Sequence, residues 1–305
     1  MGNTRSQAAC FLNLALRRRP VKASRERGLA KIHPSGNTRA MDAHLYSTYA
    51  DPSVHEAVSV LIRRHSTHMT DVRQATLGDL EFGGDAEILD LGCGFGFLAE
   101  EIARRCGPRT LITGVDACAA NRDTYLRRSG ASGCRARFIR SELSRELPFG
   151  TARFDKVMCS YSLYFFPELI PEIARVLRPE GLFWILTHSE ISFAGIFRAT
   201  GIESRGNPLV DLVRRFSIEN GADLLNPHFG EVELSPYRNV LMFYREDLGD
   251  FLDYLRFKLP LIDPRFAPGD PLPKGMADGC RSFLDIYGRI VIEKDDGVFL
   301  CRRPR

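Results

Sequence analysis

Two hydrophobic rhythms alternate along the chain. Short, nearly unbroken apolar runs stand at 88–91, 111–117, 136–140, 154–159 and 182–188, each about the length of a strand buried on both faces. Between them apolar residues recur every three or four positions, as at Leu98, Ala99, Ile102 and Cys106, which is the stripe of a core-facing helix. The helix at 97–106 is punctuated by Gly107-Pro108, that at 118–129 by Gly130, and that at 167–177 by Pro179 and Gly181. Further upstream, Asp51-Pro52 predicts an N-cap with proline at the first helical position, followed by the stripe Val54, Ala57, Val58, Leu61 and Ile62. This βαβα succession predicts an α/β fold, a mostly parallel sheet with helices on both faces.

The last third loses that alternation. Residues 208–225 predict a helix, 230–243 a strand region, 248–257 an aromatic-rich helix and 281–287 another helix. The chain closes on two β-like runs around the turn Asp295-Asp296-Gly297, and five prolines within 260–273 predict a loop. We read residues 190–305 as late strands of the same sheet with an inserted substrate lid; a separate small domain is the alternative.

Composition narrows the class. The chain has 305 residues, 44% of them apolar, and no apolar run approaches the roughly 18–20 residues of a membrane span. Its eight cysteines are scattered without a C-x-x-C pair, which suits reduced thiols in a cytoplasmic setting rather than a disulfide frame or a zinc site. His65 and His68 stand three apart without a third ligand nearby and read as surface residues.

Charge is unevenly placed. Residues 1–40 hold nine basic side chains and one acid, which leaves 33 of the 42 basic and 37 of the 38 acidic residues for 41–305. The body is therefore faintly acidic, poor support for a phosphate-backbone partner. The basic stretch has three readings: a disordered extension ahead of a start at Met41, an organelle transit peptide, or a myristoylation site beginning Met1-Gly2. The repeat GNTR at 2–5 and 36–39 has no physical account.

The candidate chemistry centres on residues 88–107, where strand, glycine-rich turn and helix follow directly. Alternate glycines let backbone N–H groups approach a ligand closely, the mark of a nucleotide-like site. As a dinucleotide fingerprint, G-x-G-x-x-G, the turn fits badly. Its order is Asp90-Leu91-Gly92-Cys93-Gly94-Phe95-Gly96-Phe97, so the third glycine falls one position early.

Asp90-x-Gly-x-Gly-x-Gly resembles instead the first motif of the class I, Rossmann-like S-adenosylmethionine-dependent methyltransferases of the 11/25 kind. Three further matches follow in the family's order: Asp116 closing the second strand, LPFGTARFDKVMCSYSLYFF from Leu147, and ARVLRPEGLFWI before the fifth strand. The resemblance covers about residues 45–190. It implies a doubly wound sheet, S-adenosylmethionine as cofactor, and cofactor contacts from Asp90, Gly92, Cys93, Gly94, Gly96, Asp116, Ala117, Glu142 and Ser160. Two positions depart from the family. Ser141-Glu142 stands where an adenine-binding Asp is common, and Tyr164-Phe165 replaces a frequent His-His.

The implied reaction is in-line methyl transfer, for which the protein aligns donor and acceptor and excludes water. A base is needed only where the acceptor loses a proton. Candidates at strand ends are His188 and Tyr164, with Glu190 behind. Aromatic residues of the last third, Phe193, Phe197, Tyr237, Phe243, Phe251 and Tyr254 among them, suit a small, partly apolar acceptor such as a quinone, polyketide or carboxylic acid. An RNA or tRNA substrate, whose bases would stack on these rings, and a non-catalytic methyltransferase-like partner subunit are the alternatives.

Overall fold

The computed structural model describes residues 47–305 and, upstream of them, only the backbone of Arg19–Pro20. The readings placed on residues 1–40 otherwise lie outside the described residues. The chain builds β1 (Glu87–Leu91), β2 (Leu111–Asp116), β3 (Arg135–Arg140), β4 (Phe154–Ser160), β5 (Leu177–His188), β6 (Phe229–Tyr237), β7 (Val240–Phe243), β8 (Ile290–Glu293) and β9 (Asp296–Pro304). Its helices are α1 (Pro52–His65), α2 (Val72–Leu77), α3 (Phe97–Ala103), α4 (Arg122–Gly130), α5 (Ile170–Val176), α6 (Ala194–Thr200), α7 (Pro208–Arg214), α8 (Gly221–Leu225), α9 (Leu248–Ile262) and α10 (Met276–Tyr287).

Seven long strands form one sheet in the order β6-β9-β5-β4-β1-β2-β3, with Arg19–Pro20 bonded to the outer edge of β6. The run from β5 to β3 is parallel, and β9 is antiparallel to both of its neighbours. Parallel strands are covered on both faces, and the alternating pleat sorts their side chains accordingly. Leu89, Leu91, Val157, Cys159, Phe183 and Ile185 enter one core; Ile88, Met158, Trp184 and Leu186 enter the other. Asp90 shares the parity of Ile88 yet is a buried carboxyl group, the first sign that the strand end serves a ligand.

Between β6 and β9 the chain leaves the sheet to build β7, α9, α10 and β8, which pack with α1, α6 and α7 over a third core. Phe243, Phe251, Tyr254 and Ile290 are fully enclosed there. Asn239 fixes the departure: its carbonyl accepts from Ser66 Oγ, the His68 amide and the Val240 amide.

Several expectations are corrected. The helix expected over 208–225 breaks between α7 and α8, because the Asn220 side chain accepts from the Ser217 amide and donates to the Arg214 carbonyl. The proline loop begins late: α9 runs through Pro260 to Ile262, and buried Leu259, Leu261 and Ile262 hold its last turn. The region 230–243 divides between two sheets. The two closing strands are not a hairpin, since β8 pairs with β7 while β9 pairs with β5 and β6. Asp296 and Gly297 are therefore strand residues, and a Cβ on Gly297 would fall 2.6 Å from Ile218 Cγ2.

Candidate active site

At the carboxyl ends of β1, β2, β4 and β5 a cavity of about 630 Å³ opens beneath α1 and the segment that follows it. This is the position at which open α/β sheets hold ligands. The glycine turn forms one wall. Gly92, Gly94 and Gly96 all have positive φ, at 62°, 49° and 86°. Gly92 also has no room for a side chain, because a Cβ there would meet the Ser162 side chain at 2.5 Å. Gly94 has open space on its Cβ side, so the backbone lies bare toward the cavity. Gly96 does not line the cavity; it starts α3 against the backbone of Tyr125.

Two carboxylates mark this end. Asp116 Oδ1 accepts from the Cys118 amide at 2.8 Å and from Asn121, and Oδ2 accepts from the Gly94 amide at 2.9 Å. Asp90 is buried, and its Oδ2 finds no partner among the described residues. Burial first, and then the charge of Asp116, push its carboxyl up to about 8. Ser160 Oγ and Asn121 Oδ1 are likewise buried without partners, and all three residues line the cavity. Orphaned polar atoms around an open glycine turn are what a polar, cationic ligand would satisfy. Cys93 and Ala117 line the same wall, whereas Glu142 is exposed and outside the lining, with Leu143 in its place.

The other end is built around His188, the last residue of β5. Its Nδ1 lies 2.6 Å from Asp296 Oδ1, and Nε2 takes no hydrogen bond among the described residues. Asp296 Oδ2 accepts from the Tyr161 hydroxyl at 2.6 Å and lies 3.4 Å from the Lys294 ammonium. Burial works to raise the Asp296 carboxyl, but Lys294 and then His188 outweigh it and hold it below the ordinary range. Burial and then Lys294 press His188 down to about 4. The imidazole is therefore neutral near pH 7, and since ionised Asp296 only accepts, we assign the proton to Nδ1 and the free lone pair to Nε2. The ring stacks on Tyr161 at 4.6 Å and on Tyr164 at 6.0 Å. Burial keeps the Tyr164 phenol protonated.

The roof is aromatic and tied at both ends. His55 of α1 stacks on Phe257 and meets Phe95 of the glycine turn edge-on, and Tyr49 packs against Phe165 and Phe257. Glu56 pairs with Arg128 of α4, while His65 Nε2 lies 2.8 Å from Asp250 of α9. His65 is thus a buried tie and His68 packs on Tyr237; no group of residues suited to a metal occurs among the described residues.

The sequence had singled out Asp90, Asp116, His188 and Tyr164, and all four line this one cavity. Tyr161, Lys258, Lys294 and Asp296 were missed. Asp296 lay hidden inside a turn signature, and the lysines carry no local signal.

Sheet order, glycine turn and paired acids together define a Rossmann-like α/β domain with a nucleotide-type ligand site. Comparison with known proteins agrees: residues 88–181 match the methyltransferase domain family. The sterol 24-C-methyltransferase of Eremothecium gossypii is 30% identical over 142 residues, which are 44% of this chain and 36% of that protein, so the match spans about a third of the relative's length. The crystal structure of a putative methyltransferase from Bacillus halodurans is similar in fold, with TM-score 0.50 and 14% identity over 77% of this chain and 99% of that one. Residues 88–181 are thus a methyltransferase-type domain by that match, set in a sheet of the Rossmann-like α/β fold.

Proposed function

We propose that this protein transfers the methyl group of S-adenosylmethionine to a small, partly apolar acceptor of the quinone, polyketide or carboxylic-acid type. The observation that carries the reading is the shared cavity, with the glycine turn and its acids at one end and the His188–Asp296 pair at the other. S-Adenosylmethionine, when bound, supplies a methyl group already activated by the sulfonium charge. Asp90 and Asp116, with the bare backbone at Gly94, would hold its cationic and ribose groups. His188 Nε2 is placed to take the acceptor's proton, and Asp296 holds the imidazole in the tautomer that leaves that lone pair free. Tyr49, Phe165 and Phe257 exclude water from the space between the two ends. Similarity to the sterol 24-C-methyltransferase of Eremothecium gossypii supports an apolar acceptor.

Release of S-adenosylhomocysteine, measured against a panel of quinones, polyketides and carboxylic acids, tests the reading. Turnover with at least one member that falls by about 100-fold or more in His188→Ala supports it. Turnover on transfer RNA with none on the panel would replace it.

A further inference from the structure

One buried charge at the acceptor end has no role in the scheme above. Lys258 of α9 is only 9% exposed and lines the cavity. Its ammonium lies over three aromatic rings, 4.9 Å from the centre of Phe193, 5.3 Å from Phe257 and 5.9 Å from Tyr254. No carboxylate stands within 4.0 Å of it among the described residues. The acid at this end, Asp296, is already engaged by His188, Tyr161 and Lys294.

That arrangement is costly as it stands. Ring faces return less to a cation than enclosing an ammonium costs. Burial first, and then the nearby Lys294, press Lys258 down to about 7. A long lysine on a helix ordinarily carries its head out to water; this one brings it into the cavity. The charges of Lys294 and Asp296 cancel and His188 is neutral, so Lys258 leaves the acceptor end with a single positive excess. The cofactor end has the opposite sign, from Asp116 and, once a cationic ligand draws off its proton, from Asp90. Acids suit a cationic donor, and the unpaired ammonium suits an anionic acceptor, with an apolar body set by Phe257, Tyr49 and Phe165, which line the cavity.

We propose that Lys258 is the anion anchor of the acceptor site, and that the acceptor is an apolar acid whose carboxylate rests against this ammonium beside Phe257. This rests on the methyltransferase reading above and narrows it to one acceptor class.

The test is calorimetric, on the full chain saturated with S-adenosylhomocysteine at pH 6.5. The probes are hexanoate, decanoate, hexadecanoate, cinnamate and 2-naphthoate, each against its primary amide. At least one acid is expected to bind tenfold or more tightly than its amide. In Lys258→Met that preference should shrink to within twofold, with S-adenosylhomocysteine affinity unchanged. Acids that bind no better than their amides in the wild-type protein, or not at all, overturn the anchor; so does a preference that survives Lys258→Met. The wild-type comparison decides even if the variant does not fold. Failure of S-adenosylhomocysteine itself to bind is a separate result, and it removes the methyltransferase reading instead.

Discussion

His188 and Asp296 face each other directly across the antiparallel β5–β9 pair, and their side chains meet at 2.6 Å on the cavity side of the sheet. A ladder pairing thus fixes the distance between imidazole and carboxylate, and packing on Tyr161 and Phe193 fixes the ring plane. In the proposed function they serve as a base and the group that orients it.

Replacing that orienting acid should damage turnover rather than cofactor binding. Asp296→Asn presents an amide N–H to Nδ1 and favours the tautomer that protonates Nε2. With an acceptor that must lose a proton, kcat should fall by about 10²–10⁴-fold, the range expected when a base loses its orienting carboxylate. S-Adenosylhomocysteine affinity should stay within about twofold. An unchanged kcat would show that His188 does not work through Asp296.

Acid should weaken the fold through the same histidine. The unfolded chain protonates His188 near its ordinary value of about 6.5, whereas the folded protein resists until about 4. Between these values the unfolded state binds more protons, so stability falls as pH falls through the window. At pH 5 the loss traceable to this group is about 2 kcal/mol. Urea midpoints of wild type and His188→Gln at pH 7 and pH 5 measure it, and the variant should lose less. Equal losses in the two proteins would mean that His188 is not the buried neutral group described.

Cofactor binding should release a proton. With its carboxyl pushed up to about 8, Asp90 is mostly protonated at pH 7 in the free protein. A cationic ligand against the unpartnered Oδ2 favours the ionised form, so affinity should rise with pH between 6 and 8. Calorimetry in phosphate and in Tris at pH 7 should report close to one proton released by wild type and none by Asp90→Asn. Identical observed heats for wild type in the two buffers, whose ionisation enthalpies differ, would place the cation elsewhere.

Much of this was legible because it is local. An apolar run, a glycine turn and a helical stripe lie within residues 88–107, and the strand 182–188 announces where His188 ends. Asp296 was not legible, since it lies 108 residues from its partner and the run Asp295-Asp296-Gly297 carries the same letters as a hairpin turn. Lys258 sits in an ordinary helical pattern, and only the fold turns that face toward the cavity. Glu142 shows the limit of spacing alone. The segment after β3 runs along the surface, so the glutamate points to solvent while Leu143 faces inward.

The central claim is that the acidic end of the cavity holds S-adenosylmethionine, and titration with S-adenosylhomocysteine tests it most directly. Wild type should bind one equivalent per chain. Asp116→Ala should bind at least tenfold more weakly, because it removes the carboxylate that orders the Gly94 and Cys118 amides and that, in the proposed function, holds the ribose. No heat and no thermal stabilisation of the wild-type protein, or equal affinity in Asp116→Ala, would contradict the account.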